Sequence, residues 1–192
     1  YNSVLTPDRL AAHYRVGTAD GAVLDRGNVA SGRYAVEFAS AKNVTIRNLT
    51  VTGGEWGLVA NDADGLVLAD SRAINNAAGG FYVHTDVLVA TISGNEAYGT
   101  TGNSSLDQDT GFYLRGDQMS VFNNRAYKIG AQFGDGISID SADQLVIHDN
   151  VAYNNINGIG VTTSQADVYA NEARDNDRGL YEHDDTGNFR TT

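Results

Sequence analysis

Gly136-Ile-Ser-Ile-Asp140, then Leu145-Val-Ile147, then Asp149-Asn-Val-Ala-Tyr-Asn-Asn155 is a pattern that the chain repeats at once. Its second copy is Gly158-Ile-Gly-Val-Thr162, Ala166-Asp-Val168 and Ala170-Asn-Glu-Ala-Arg-Asp-Asn176. A glycine opens a short apolar strand, a polar turn leads to a second short strand, and an Asn-x-Ala step closes the unit. Self-similarity at this period is the signature of a solenoid, in which each repeat buries its apolar side only by stacking on its neighbours.

The pattern extends both ways. Openers fall at Ala35, Gly57, Gly80, Gly111, Gly136, Gly158 and Gly179, with gaps of 22, 23, 31, 25, 22 and 21 residues. Alternation along each first strand predicts inward pairs Val36/Phe38, Leu58/Ala60, Phe81/Val83, Phe112/Leu114, Ile137/Ile139 and Ile159/Val161. The second strands give Val44/Ile46, Leu66/Leu68, Ala90/Ile92, Met119/Val121, Leu145/Ile147 and Ala166/Val168, and a small-residue column follows at Val51, Ala73, Ala97, Ala126, Ala152 and Ala173. Asn95, Asn124, Asn150 and Asn171 share one position, as a stacked amide ladder requires. Leu49 and Ser71 interrupt it in the first two coils. Asparagine also tolerates the left-handed backbone region that a sharp corner needs. Tyr98, Tyr127 and Tyr153 directly follow the alanine column and are expected to stack.

These columns resemble the right-handed parallel β-helix of pectate lyases, NosD-like proteins and mannuronan C5-epimerases, over roughly residues 35–185. The resemblance implies an all-β, single-stranded parallel β-helix of about six to seven coils. Residues 1–34 fall outside the pattern and read as an N-terminal cap with an irregular first coil, and 35–192 as the helix proper. Within the cap, Thr6 and Pro7 suit the start of a short helix over residues 6–14. After Gly179 the pattern decays, with Glu182 at an inward position and no second strand expected.

The 192 residues carry a formal net charge of −11, which argues against nucleic acid as a partner. There are no cysteines, hence neither disulfides nor thiolate metal sites. No apolar run approaches the ~20 residues of a membrane span. The composition suits a secreted, extracellular bacterial domain excised from a longer chain.

Two connections are long: 98–110 and 127–135. Insertions in solenoids collect on one face, often the binding face, and these two are neighbours that lead into first strands. The second outward position of those strands reads Asn61, His84, Arg115 and Asp140 in successive coils, flanked by Tyr82 and Tyr113. An imidazole, a guanidinium, a carboxylate and phenols in one row suit acid–base chemistry on a sugar acid. Arg115 and Asp140 equally suit a cross-strand ion pair.

A motif of the mannuronan C5-epimerases, Tyr-Gly-Phe-Asp-Pro-His, is similar to Gly79-Gly-Phe-Tyr-Val-His84 at Gly80, Phe81 and His84. Gly79, Tyr82 and Val83 depart from it. The resemblance implies an anionic polysaccharide such as alginate as substrate, by C5 epimerisation or β-elimination. His84, Tyr82 and Arg115 are then the catalytic candidates, with Asn61, Tyr113 and Asp140 as substrate-binding candidates. The alternative is a non-catalytic β-helix, a spacer or glycan-binding segment of a larger surface protein. No cofactor is implied. The acidic loop Asp107-Gln-Asp109, with Asp135, offers oxygen ligands for Ca²⁺, without the spacing of a known calcium loop.

Overall fold

The strands are short because every coil turns three corners, and most corners are built on a left-handed residue. In the computed structural model, which describes residues 21–100, 109–130, 134–182 and 188–191, such residues form columns. One comprises Asn43, Gly65, Val89, Gln118 and Gln144, each directly before the first inward residue of the coil's second strand. Another comprises Asn48, Asp70, Gly94, Asn123, Asp149 and Ala170, just before the third strands. The last comprises Gly53, Asn75, Gly99, Lys128, Asn154 and Asp175, two residues after the small-residue column. The ladder asparagines are therefore not the left-handed residues. Each follows one, and its side chain is turned into the corner.

Between corners lie three parallel sheets in about six full turns. The first contains Val36–Ala39, Trp56–Asn61, Gly79–Val83, Thr110–Leu114 and Arg178–Glu182. The second contains Thr45–Arg47, Leu66–Ala69, Leu88–Ser93, Asp117–Phe122 and Asn188–Thr191. Asp135–His148 and Asn157–Tyr169 run through the corner and belong to both, with register shifts between Asp140 and Leu145. The third sheet is seven-stranded and is made of Ala22–Asp25, Leu49–Thr52, Arg72–Ile74, Glu96–Tyr98, Arg125–Tyr127, Val151–Tyr153 and Glu172–Arg174.

The register matches the sequence columns: Phe81 pairs with Phe112, Phe112 with Ile137, Val121 with Ile147, and Ala97 with Ala126. These side chains fill one buried core along the axis. The expectation that no second strand follows Gly179 is corrected, since Asn188–Thr191 pairs in parallel with residues 165–168. The strand Ala22–Asp25 pairs with Leu49–Thr52 and supplies the third sheet's first member. Residues 6–14, most of the loop 98–110, residues 131–133 and 184–187, and His183 lie outside the described residues.

The glycine openers have a spatial cause. A Cβ on Gly80 would come 2.5 Å from the Gly111 carbonyl oxygen and 2.9 Å from the Ala97 Cβ. The openers and the alanine column thus face each other across a corner too tight for two side chains. Gly80 and Phe81 both face inward, so the residue before each opener points outward, against simple alternation.

The asparagine ladder is continuous. Asn124 Nδ2 donates to Asn150 Oδ1 at 3.0 Å and to the Ile92 carbonyl at 2.8 Å, while the Asn124 backbone N–H donates to that same Oδ1. Asn95 and Asn150 repeat this arrangement, and Asn171 is partly buried at the end. The break expected at Ser71 is only partial. The Leu49 N–H donates to the Ser71 hydroxyl, and the Ser71 N–H donates to Asn95. A second ladder, unread in the sequence, runs through Asn76, Asn155 and Asn176. Thr100 and Ile129 interrupt it in the two coils that bear the long loops.

Candidate functional site

Simple alternation puts Tyr82, Tyr113, Ser138 and Gly160 on the outer face of the first sheet, and the inward-turned glycines add a column beside them. That column is Trp56, Gly79, Thr110, Asp135, Asn157 and Arg178 in register. Gly79 has no side chain, and the Trp56 ring occupies the space where its Cβ would stand. From there Trp56 reaches Tyr82, with centroids 5.3 Å apart, and Tyr113, 6.4 Å away. Tyr82 and Tyr113 lie 5.1 Å apart. The rings are tilted by 25–40° rather than parallel, and form a half-buried aromatic surface over three coils.

The row Asn61, His84, Arg115 and Asp140 is divided by its own contacts. His84 continues the strand ladder through its N–H to the Ala60 carbonyl, and Arg115 does so to Val83. The His84 side chain is held by a neighbour that sequence reading missed. Its Nδ1 lies 3.0 Å from Asp86 Oδ1, with the Thr85 hydroxyl 3.3 Å away. The same Asp86 oxygen accepts the Asp62 N–H at 2.9 Å. That backbone bond, aided by His84, holds the Asp86 carboxyl below its ordinary range even though partial burial opposes it. An ionised carboxylate only accepts, so Nδ1 is the donor in this contact.

Arg115 belongs with the next coil. Its Nε lies 3.5 Å from Asp140 Oδ2, the oxygen to which the Tyr113 hydroxyl donates at 3.2 Å. Its guanidinium sits 5.7 Å from the Tyr113 ring centroid. Burial raises the Tyr113 pKa, Arg115 opposes this and Asp140 adds to it, so the phenol keeps its proton at neutral pH. Asn61 is turned toward Glu37, at 3.5 Å. The structure thus brings His84 to Tyr82, whose rings are 5.7 Å apart, and joins Tyr113, Arg115 and Asp140. It leaves Asn61 at the rim.

At the far end of this face a second aromatic side chain covers a glycine. The Tyr181 ring lies over Gly160 where a Cβ would stand. Burial and nearby Asp135 push its pKa up to about 12. Asp135 accepts a 2.6 Å hydrogen bond from Asn157, and burial raises its pKa against the lowering effects of Asn157 and Arg178. Of the acidic loop, Asp107 lies outside the described residues. Asp109 is buried and its carbonyl accepts the Asp135 N–H. Among the described residues, no group of three or more His, Asp or Glu is placed to hold a metal ion.

A family model described as the right handed beta helix region matches residues 17–191. The chain belongs to the right-handed β-helix family. Membership gives the coil its hand and covers the whole described solenoid. No curated protein and no solved structure matches the chain.

Proposed function

We propose that this β-helix acts outside the cell on an anionic uronan such as alginate, with the chain of sugars lying along the outer face of the first sheet. One observation carries the reading: the Trp56–Tyr82–Tyr113 surface runs directly into a histidine that is oriented by a carboxylate. Aromatic faces suit the apolar faces of sugar rings, and a fixed imidazole suits proton exchange. The difficult step in epimerisation or β-elimination is removal of the proton beside the uronate carboxylate. His84 Nε2 accepts that proton, and Asp86 stabilises the imidazolium that forms. The phenol of Tyr82 or Tyr113 is the donor that returns a proton or assists the departing oxygen.

The non-catalytic reading has an observation of its own. Arg115 is already paired with Asp140, so this cation is not reserved for a substrate carboxylate.

Incubation with alginate in deuterium oxide separates the two. Catalysis predicts either an unsaturated uronate chromophore or deuterium at C5, and His84→Ala abolishes either signal while leaving thermal unfolding unchanged. Binding without chemistry would establish the glycan-binding alternative, and neither binding nor chemistry would refute both.

A further inference from the structure

Two aromatic side chains on the first sheet lie down across a neighbouring strand instead of standing upright. A Cβ on Gly79 would touch Trp56 Cζ3, with Cε3 at 2.5 Å and Cη2 at 2.6 Å on either side of it. A Cβ on Gly160 would touch the Tyr181 phenol oxygen, with Cζ at 2.5 Å and Cε1 at 3.0 Å. Several adjacent ring atoms are close at once, which is the geometry of a ring presented face-on. An edge-on ring would put one atom well ahead of its neighbours. The phenol oxygen is the far end of its side chain, so Tyr181 has folded over onto the strand beside it. An upright ring stays a full strand spacing from its neighbour in the column, as Tyr98, Tyr127 and Tyr153 do at 4.9 Å.

The two glycines are explained by the rings alone. Neither is one of the openers, neither has a left-handed φ, and the atoms nearest to each added Cβ all belong to the ring above it. Trp56 and Tyr181 are both partly exposed. Each has one ring face on the sheet and the other turned away from it. They also fold in opposite senses: Trp56 lies toward the following coil and Tyr181 toward the preceding one, so they lean toward each other from the two ends of the face. A flat ring of this kind offers the apolar face of a sugar a matching surface.

We infer that Tyr181, laid over Gly160, is a second sugar-stacking subsite, and that together with Trp56 over Gly79 it selects a long oligosaccharide over a short one. The inference rests on the glycan reading given above. Tyr82, in the coil of Gly79, pairs with Tyr113, Tyr113 with Ser138, and Ser138 with Gly160. The two platforms are therefore three register steps apart, about 14 Å at the usual strand spacing. Two linked sugar rings do not span that distance, so a ligand that touches both platforms is an oligosaccharide lying along the axis. It passes over Tyr113 and Ser138 on the way.

The test measures by calorimetry how affinity grows with ligand length, using a uronate trisaccharide and a uronate hexasaccharide. In the wild type the hexasaccharide is expected to bind about tenfold more tightly, and Tyr181→Ala is expected to remove most of that gain while changing trisaccharide binding by no more than about twofold. Gly160→Ala is expected to act like Tyr181→Ala, because the added Cβ lifts the ring off the strand. Tyr181→Phe keeps the ring and is expected to retain the gain. Unchanged melting curves are the folding control. A length gain that survives Tyr181→Ala, or a Tyr181→Ala protein that loses affinity for both ligands alike, overturns the subsite and leaves the glycan reading standing. A wild type that binds both lengths equally does the same. A wild type that binds neither overturns both.

Discussion

Two groups of aromatic side chains climb the outside of this solenoid, and they are built differently. On the third sheet Tyr98, Tyr127 and Tyr153 occupy one column, with centroids 4.9 Å apart and planes within 7–9° of parallel, and Arg174 closes the stack 4.4 Å over Tyr153. Each ring face is covered by the next ring, so only edges meet solvent. On the first sheet Trp56, Tyr82 and Tyr113 come from two columns and are tilted by 25–40°. The parallel stack is what the repeat produces when one residue type is placed on successive rungs. The tilted group requires a departure from the repeat, a glycine at 79 under the indole. Regularity marks the part that holds the coils together, and the irregular part is the face we propose for a ligand.

The largest effect expected from breaking the regular part is at the ladder. The Asn150 side chain is fully buried and bonds to Val121, His148, Asn124 and Asn171. Asn150→Ala leaves buried backbone groups unpaired and should cost about 1–3 kcal/mol in urea melts. An unchanged midpoint would show that the ladder is ornamental.

Tyr127 sits in the middle of the parallel stack, and burial beside Glu96 pushes its pKa up to about 12. Tyr127→Ala should lower stability by about 1–3 kcal/mol, the worth of two ring contacts, and leave glycan binding intact. Tyr82→Ala should do the reverse. Equal effects on both readouts in both variants would erase the distinction between the two groups.

A smaller effect of opposite sign is expected at Val89. It is 54% exposed and has φ 58°, a left-handed conformation that costs a β-branched residue about 1–2 kcal/mol. Its column holds Asn43 in the first coil and Gly65 in the second. Val89→Asn should therefore raise the melting temperature, and a lower one would mean that Val89 makes a contact worth more than the strain.

Asp135 gives the smallest effect, and one that depends on pH. Burial raises its folded pKa above that of the unfolded chain. Below the ordinary carboxyl range, about pH 4, both states hold the proton and Asp135 contributes no penalty. As pH rises past that range the unfolded state ionises first, so the folded state is progressively disfavoured. Asp135→Asn should accordingly gain stability relative to the wild type between acidic and neutral pH. Parallel pH profiles for the two proteins would contradict the burial assignment.

The legibility of the fold follows from stacking. Each buried column is a repeated local choice, so Phe81, Phe112 and Ile137 could be aligned by eye, and their register in the sheets agrees. The second ladder was harder to see, because Thr100 and Ile129 break it where the long loops interrupt the period. The site was less legible. His84 and Tyr82 were found because outward positions alternate, but Asp86 sits in a turn whose shape alternation does not describe. Trp56 and Arg178 precede their openers, and simple alternation would turn them inward. They face outward because the glycine corner turns its own residue in, which is a matter of packing between Gly80 and Ala97 and not of pattern.

Trp56 is the protein's sole tryptophan and lies in the tilted aromatic group, so its fluorescence reports directly on the face argued to bind the glycan. Titration with an oligouronate should shift or quench the emission saturably, and Tyr82→Ala should abolish that response while Tyr127→Ala preserves it. Emission that stays constant in the wild type, while an independent method detects binding of the same sugar, would put the site on another face and contradict the account.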